Sequence, residues 1–99
     1  MKFDKIFYFA LLKEGSYEHI KIAASKYLYN SDFISSLNLQ ECLESYIYFR
    51  EYFKKESLEL EILVNLIVDN FKIPDNLRNN QFRNVFNILE KMYKNYKNK

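Results

Sequence analysis

Residues 46–53 read YIYFREYF, five aromatics in eight positions: Tyr46, Tyr48, Phe49, Tyr52 and Phe53. A β-strand would place Tyr46, Tyr48, Arg50 and Tyr52 together on one side, because strand side chains alternate. A helix, turning about 100° per residue, instead gathers Leu39, Cys42, Leu43, Tyr46, Phe49 and Phe53 on one face. It leaves Tyr48 and Tyr52 one turn apart on the opposite face, beside Glu41, Glu44 and Glu51. The preceding NLQE at 38–41 decides between the two. Asn38 can accept from an early backbone N–H while Glu41 reaches back to the cap, the two halves of a capping box. The stretch therefore belongs to a helix over about 39–55, with a core face and an outer face.

The rest of the chain carries the same period. Phe3, Ile6, Phe7, Ala10 and Leu11 recur at helical spacing, and Gly15 follows as a C-terminal cap. Ser16 can cap a stripe of Ile20, Ala23, Ala24, Tyr27 and Leu28. Asn30, Ser31 and Asp32 break the pattern, and 33–37 reads as a helical turn or a loop. Ser57 offers a cap for Leu60, Leu63, Val64, Ile67, Val68 and Phe71, which end at the KIPDN break around Pro74. A last helix from about 80 carries Phe82, Val85, Phe86, Leu89, Tyr93 and Tyr96.

One glycine and one proline are too few for the turns and bulges of an all-β fold. The expectation is an all-α, compact bundle of four main helices plus one short helical element. It forms a single helical domain over residues 1–99, with a basic C-terminal end at 94–99 expected to fray. Ninety-nine residues hold one core and not two, and a hydrophobic fraction of 48% suffices to fold it. The wealth of Lys, Asn, Ile, Tyr and Phe without Trp suggests an AT-rich genome.

Fifteen basic against thirteen acidic residues leave a formal charge of +2, too little for long-range steering toward nucleic acid or anionic lipid. The opening MKFDKIFYFALLKEGS imitates a secretory leader, but Asp4 and Lys5 interrupt its short apolar run and no cleavage pattern follows. Nothing approaches the ~20 apolar residues of a membrane span. With a single cysteine there is no disulfide framework. The expected location is cytoplasmic, with no membrane association.

Catalytic groups are sparse. His19 is the only histidine, and metal sites need clustered ligands, so no metal or cofactor is expected. Cys42 falls on the core face of its helix, where a thiol behaves as a small hydrophobe. No Gly-rich phosphate loop can be built from one glycine. The chain reads as a binding protein and not as an enzyme.

Three surfaces could bind. The first is the outer face of the 39–55 helix: Tyr48 and Tyr52 within Glu41, Glu44 and Glu51. Tyrosine supplies rigid contact area with a polar tip, and the carboxylates would steer a basic partner. Residues 32–61 hold seven acids against three bases. The alternative is that both tyrosines pack beneath another helix. The second is the basic tail, where Lys91, Lys94 and Lys97 interleave with Tyr93 and Tyr96, the ingredients of a surface for nucleic acid; cations at a helix C-terminus also simply complement its dipole. The third is Leu58, Ile62 and Leu66, which make their helix apolar on two faces, either because it is central or because it forms a homodimer.

The leading expectation is a small helical module that occludes a protein partner with a basic surface, as a bacterial inhibitor, antitoxin or immunity protein does. In design, though not in sequence, it is similar to the small helical immunity proteins that neutralise nuclease bacteriocins. A nucleic-acid-binding regulator using the C-terminal helix is the alternative, and a structural homodimer subunit the next.

Overall fold

The computed structural model describes residues 5–70 and 81–98; Phe3, Phe71, Pro74 with the KIPDN break, Asn80 and Lys99 lie outside them. Among the described residues there are six α-helices and no strand. The count is six where four main helices and one short element were expected, because each of the five apolar stripes forms a helical span and the stretch at 31–35 forms the short one. The Cα radius of gyration is 13.3 Å, that of a compact chain of this length.

Helix α1 (Lys5–Lys13) stops where expected. Gly15 has φ 80°, the left-handed conformation that costs a side chain and suits glycine. Its inward face differs from the expected stripe. Tyr8, Leu11 and Leu12 are buried, whereas Ile6 is 86% exposed and Phe7 43%. The cause is visible in the residues: positions 6–12 are apolar without interruption, so spacing alone cannot select which side turns inward.

Ser16 caps α2 (Tyr17–Ala23) by accepting from the His19 N–H at 3.2 Å. The helix then continues into one π-helical segment, Ala24–Leu28. Ala23, Ala24, Tyr27 and Leu28 are all buried, as their stripe predicts. Asn30 caps α3 (Ser31–Ser35) through the Phe33 N–H at 3.1 Å. The stretch left open as a turn or a loop is thus a short helix, which plants Phe33 and Ile34 in the interior.

Helix α4 (Leu39–Arg50) begins with the expected capping box, both of its hydrogen bonds measuring 2.8 Å. Cys42, Tyr46 and Phe49 are buried as expected, Leu43 and Phe53 partly. Leu39 is 42% exposed, and its place is taken by Ser45, fully buried. Ser45 is tolerable there because its Oγ donates to the Glu41 carbonyl at 2.8 Å and accepts from the Tyr8 hydroxyl at 2.8 Å. The helix also ends earlier than 55. The N–H groups of Tyr52 and Phe53 both turn onto the Phe49 carbonyl, closing the last turn so that Phe53 packs on Phe49 and Tyr17.

Ser57 caps α5 (Leu58–Asn70) through the Leu60 N–H. This helix is central, packing on α3, α4, α6 and the π-helical segment. Helix α6 (Gln81–Lys97) lies across α4 and α5. Of its expected stripe, Leu89 and Tyr93 are buried and Val85 and Phe86 half-buried, while Phe82 and Tyr96 at its two ends are 41% and 46% exposed. The end expected to fray is helical as far as Lys97.

At the centre, the rings of Tyr8, Tyr27 and Phe33 stand within 5.5 Å of one another in edge and tilted arrangements. Such aromatic contacts add about 0.5–1.5 kcal/mol per pair beyond area burial.

Candidate partner-binding site

The outer face of α4 is occupied more fully than its sequence implies. Tyr52 lies in the turn beyond the helix, half-buried, with its hydroxyl donating to the Gly15 carbonyl and its ring 6.4 Å from that of Tyr17. Tyr48 is half-buried, and burial, with Tyr96 and Glu44 nearby, raises the pKa of its phenol. The two tyrosines are therefore covered from different sides: Tyr52 by the α1–α2 corner, Tyr48 from α6.

The carboxylates divide in the same way. Glu41 pairs with the Lys5 ammonium at 3.0 Å while completing the capping box, and Lys5 also donates to the Ser36 carbonyl at 2.8 Å. Glu51 pairs with Lys97 at 3.3 Å. Glu44 has no hydrogen-bonding or ion-pair partner among the described residues.

Glu41 and Glu44 line one wall of a groove between α4 and α1, about 560 Å³ in volume. The opposite wall is the side of α1 that the core did not take: Ile6, Phe9 and Ala10, with Lys5 and Lys13 at the margins. An isoleucine left 86% exposed beside a half-buried phenylalanine is an apolar floor with a charged rim. Sequence reasoning assigned Ile6 and Ala10 to the core and so missed this wall. The signal was present: an uninterrupted apolar run on a short helix exceeds what one buried stripe can absorb.

The other candidates fall as follows. Lys91 and Lys94 are exposed. Lys97 is exposed too, and its pairing with Glu51 raises its pKa. Tyr93 is 9% exposed, with the Arg50 guanidinium 4.9 Å from its ring centre, so it has no free face for a base; Tyr96 has one. Leu58 is 59% exposed. Ile62 and Leu66 are half-buried and line a groove of about 400 Å³ against Leu28, Tyr29 and Ile34, so most of the second apolar face of α5 is covered by α3 and the π-helical segment. His19 sits in the cap of α2, its Nδ1 against Ser16 Oγ. Burial pushes the Cys42 thiol up to about 11, with Glu41 adding to the shift and Lys5 opposing it. Such a thiol is not a nucleophile at neutral pH. Among the described residues no group of three or more His, Cys, Asp or Glu could hold a metal ion, and no helix is long and apolar enough to cross a membrane.

Comparison with protein-family models, with curated proteins and with solved structures finds no match.

Proposed function

We propose that this chain is a small helical protein-binding module that acts by occlusion, covering the working surface of a protein partner in the manner of an inhibitor, antitoxin or toxin-immunity protein. The observation that carries the reading is Ile6, 86% exposed over the α1–α4 groove that Phe9 and Ala10 also line, with Glu44, which has no ion-pair partner among the described residues, on the opposite wall. A partner segment with an apolar side chain and an adjacent cation fits this groove: the apolar group displaces water from Ile6 and Phe9, and the cation meets Glu44. Glu41, already partly neutralised by Lys5, completes the polar rim of the groove, while Tyr48, Tyr52 and Glu51 lie outside its lining and are proposed as peripheral contacts. Burying an isoleucine is worth about 1.5–3 kcal/mol, part of which offsets the freedom lost on association.

The test begins with the polypeptide that co-purifies with the tagged protein from its native lysate after nuclease treatment. Its affinity is then measured for the wild type and for Ile6→Glu and Glu44→Lys. Both variants are expected to bind at least about tenfold more weakly, a loss of about 1.4 kcal/mol or more, with unchanged helical circular dichroism. The partner's own activity is expected to fall on binding the wild type. Unchanged affinity in both folded variants removes the groove from the reading, and a partner that stays fully active in the complex removes occlusion.

A homodimer through α5 would rest on Leu58, since Ile62 and Leu66 are largely covered. A sedimentation mass of one chain at micromolar concentration excludes it.

A further inference from the structure

Helix α6 packs Val85, Leu89 and Tyr93 toward α4 and α5, so the opposite side of the helix faces out. That side is read off at steps of three and four: Asn84, Asn87, Lys91, Lys94, Asn95 and Asn98, all exposed. Arg83 and Ile88 flank it, and Ile88 is 58% exposed in the midst of polar neighbours. Among the described residues no carboxylate lies on this face. The one acid of the helix, Glu90, turns inward, where it accepts from Arg50 Nε at 3.0 Å and from the Tyr46 hydroxyl at 2.6 Å. The exposed side of α5, with Glu61, Asn65 and Asp69, shows the contrast.

We propose that this face of α6 is a second binding surface, which lies along the major groove of duplex DNA. It goes beyond the groove reading and does not depend on it. The α-helix of 17 residues is about 25 Å long at 1.5 Å per residue, and the major groove, about 12 Å wide, admits a helix. Asparagine amides pair with the N6 and N7 edge of adenine, lysine and arginine reach guanine or phosphate, and an exposed aliphatic side chain meets the thymine methyl. Asn84, Asn87 and Asn95 beside Ile88 supply the adenine and thymine half of that set, and Arg83, Lys91 and Lys94 the phosphate half. The deep, narrow major groove of A-form RNA does not admit a helix, so duplex DNA is the favoured polymer. With Lys97 shared with Glu51, Arg83, Lys91 and Lys94, none ion-paired among the described residues, neutralise about three phosphates, for a slope of log K on log salt near −3.

The experiment is fluorescence anisotropy of the full chain with a labelled A·T-rich DNA duplex of about 20 bp, titrated from about 50 to about 200 mM salt. An RNA duplex of the same sequence and polyglutamate serve as competitors. Binding to DNA with a slope near −3 is expected. Lys91→Gln with Lys94→Gln should bring the slope about 2 nearer to zero and weaken binding at 0.1 M salt by at least about tenfold. The charge-matched control, Lys21→Gln with Lys26→Gln on α2 and its π-helical extension, should leave both as in the wild type. Asn84→Ala with Asn87→Ala should keep the slope and lose the preference for A·T over G·C duplex. Ile6→Glu should bind DNA as the wild type does, which separates this surface from the α1–α4 groove. The proposal is overturned by no DNA binding at the lowest salt, by an equal loss in the α2 control, or by tighter binding to RNA or polyglutamate.

Discussion

Replacing Glu90 by Gln tests the contact that turns the only acid of α6 inward. The side chains of Arg50 and Glu90 are 24% and 13% exposed, and their N–O distance is 3.0 Å. At an effective dielectric of about 20, a pair at that distance attracts by roughly 5 kcal/mol, most of it offset by the desolvation of both ions. The net worth of hydrogen bonds to a charged group is about 1.5–3 kcal/mol. Glu90→Gln keeps the shape and leaves the Tyr46 hydroxyl an amide oxygen to donate to, but it strands a largely buried guanidinium. A loss of about 2–3 kcal/mol is therefore expected, read by urea unfolding monitored by circular dichroism. An internal standard joins the same two helices: Lys97 and Glu51 at 3.3 Å, with side chains 51% and 29% exposed. Glu51→Gln should cost no more than about 1 kcal/mol, because solvent and salt screen an exposed pair. Arg50→Met added to Glu90→Gln removes the stranded charge, so the double variant should lose at least about 1 kcal/mol less than the sum of the singles. If Glu90→Gln costs no more than Glu51→Gln, or if the two losses add, the inward pair does not hold α6 in place and the account of its acid-free outer face fails.

Two further outcomes follow from the interior. Burial raises the Cys42 thiol from its ordinary 9.0 to about 11, so between those values the unfolded chain has released a proton that the folded chain still holds. Stability from this group is whole below pH 9 and falls as pH rises toward 11, by on the order of 2–3 kcal/mol in all. Tyr8 and Tyr46, both raised by burial, extend the decline above pH 10. Cys42→Ala should flatten the part between pH 9 and 11, and an identical slope in that variant would place the alkaline loss elsewhere. At Gly15, with φ 80° and only the Lys13 carbonyl within 4 Å of an added Cβ, Gly15→Ala should cost about 1–2 kcal/mol through backbone conformation alone. Gly15→Asn should cost less, and an alanine variant as stable as the wild type would show that the turn relaxes.

How much of this was legible depends on whether a signal was local. Caps are local: Ser16, Asn30, Asn38 and Ser57 each hold the N–H that a helix start requires, and the capping box at Asn38 and Glu41 was readable from four residues. The ends of helices were less so. Beyond Arg50 the chain brings Phe53 against Tyr17, a residue of α2 far off in sequence, and no local signal marks that contact. Which face turns inward was legible only where the sequence offered a choice. On α4, acids oppose apolar residues, and Cys42, Tyr46 and Phe49 are buried as expected; on α1, seven consecutive apolar residues left the rotation to be set by Tyr8 reaching Ser45, a contact 37 positions away. That same ambiguity is what produces the candidate site. A helix whose apolar residues exceed its buried stripe must show the excess to solvent, and here the excess is Ile6 and Phe9 beside Glu44. The carboxylates and tyrosines of α4 were visible as residue types, but their use within the fold was not, because the partners of Glu41, Glu51 and Tyr52 are Lys5, Lys97 and Gly15, each more than thirty positions distant. A charge run in sequence counts ions without saying which are already paired. Pairing, fixed by tertiary structure, leaves Glu44 and the outer face of α6 without ion-pair partners among the described residues.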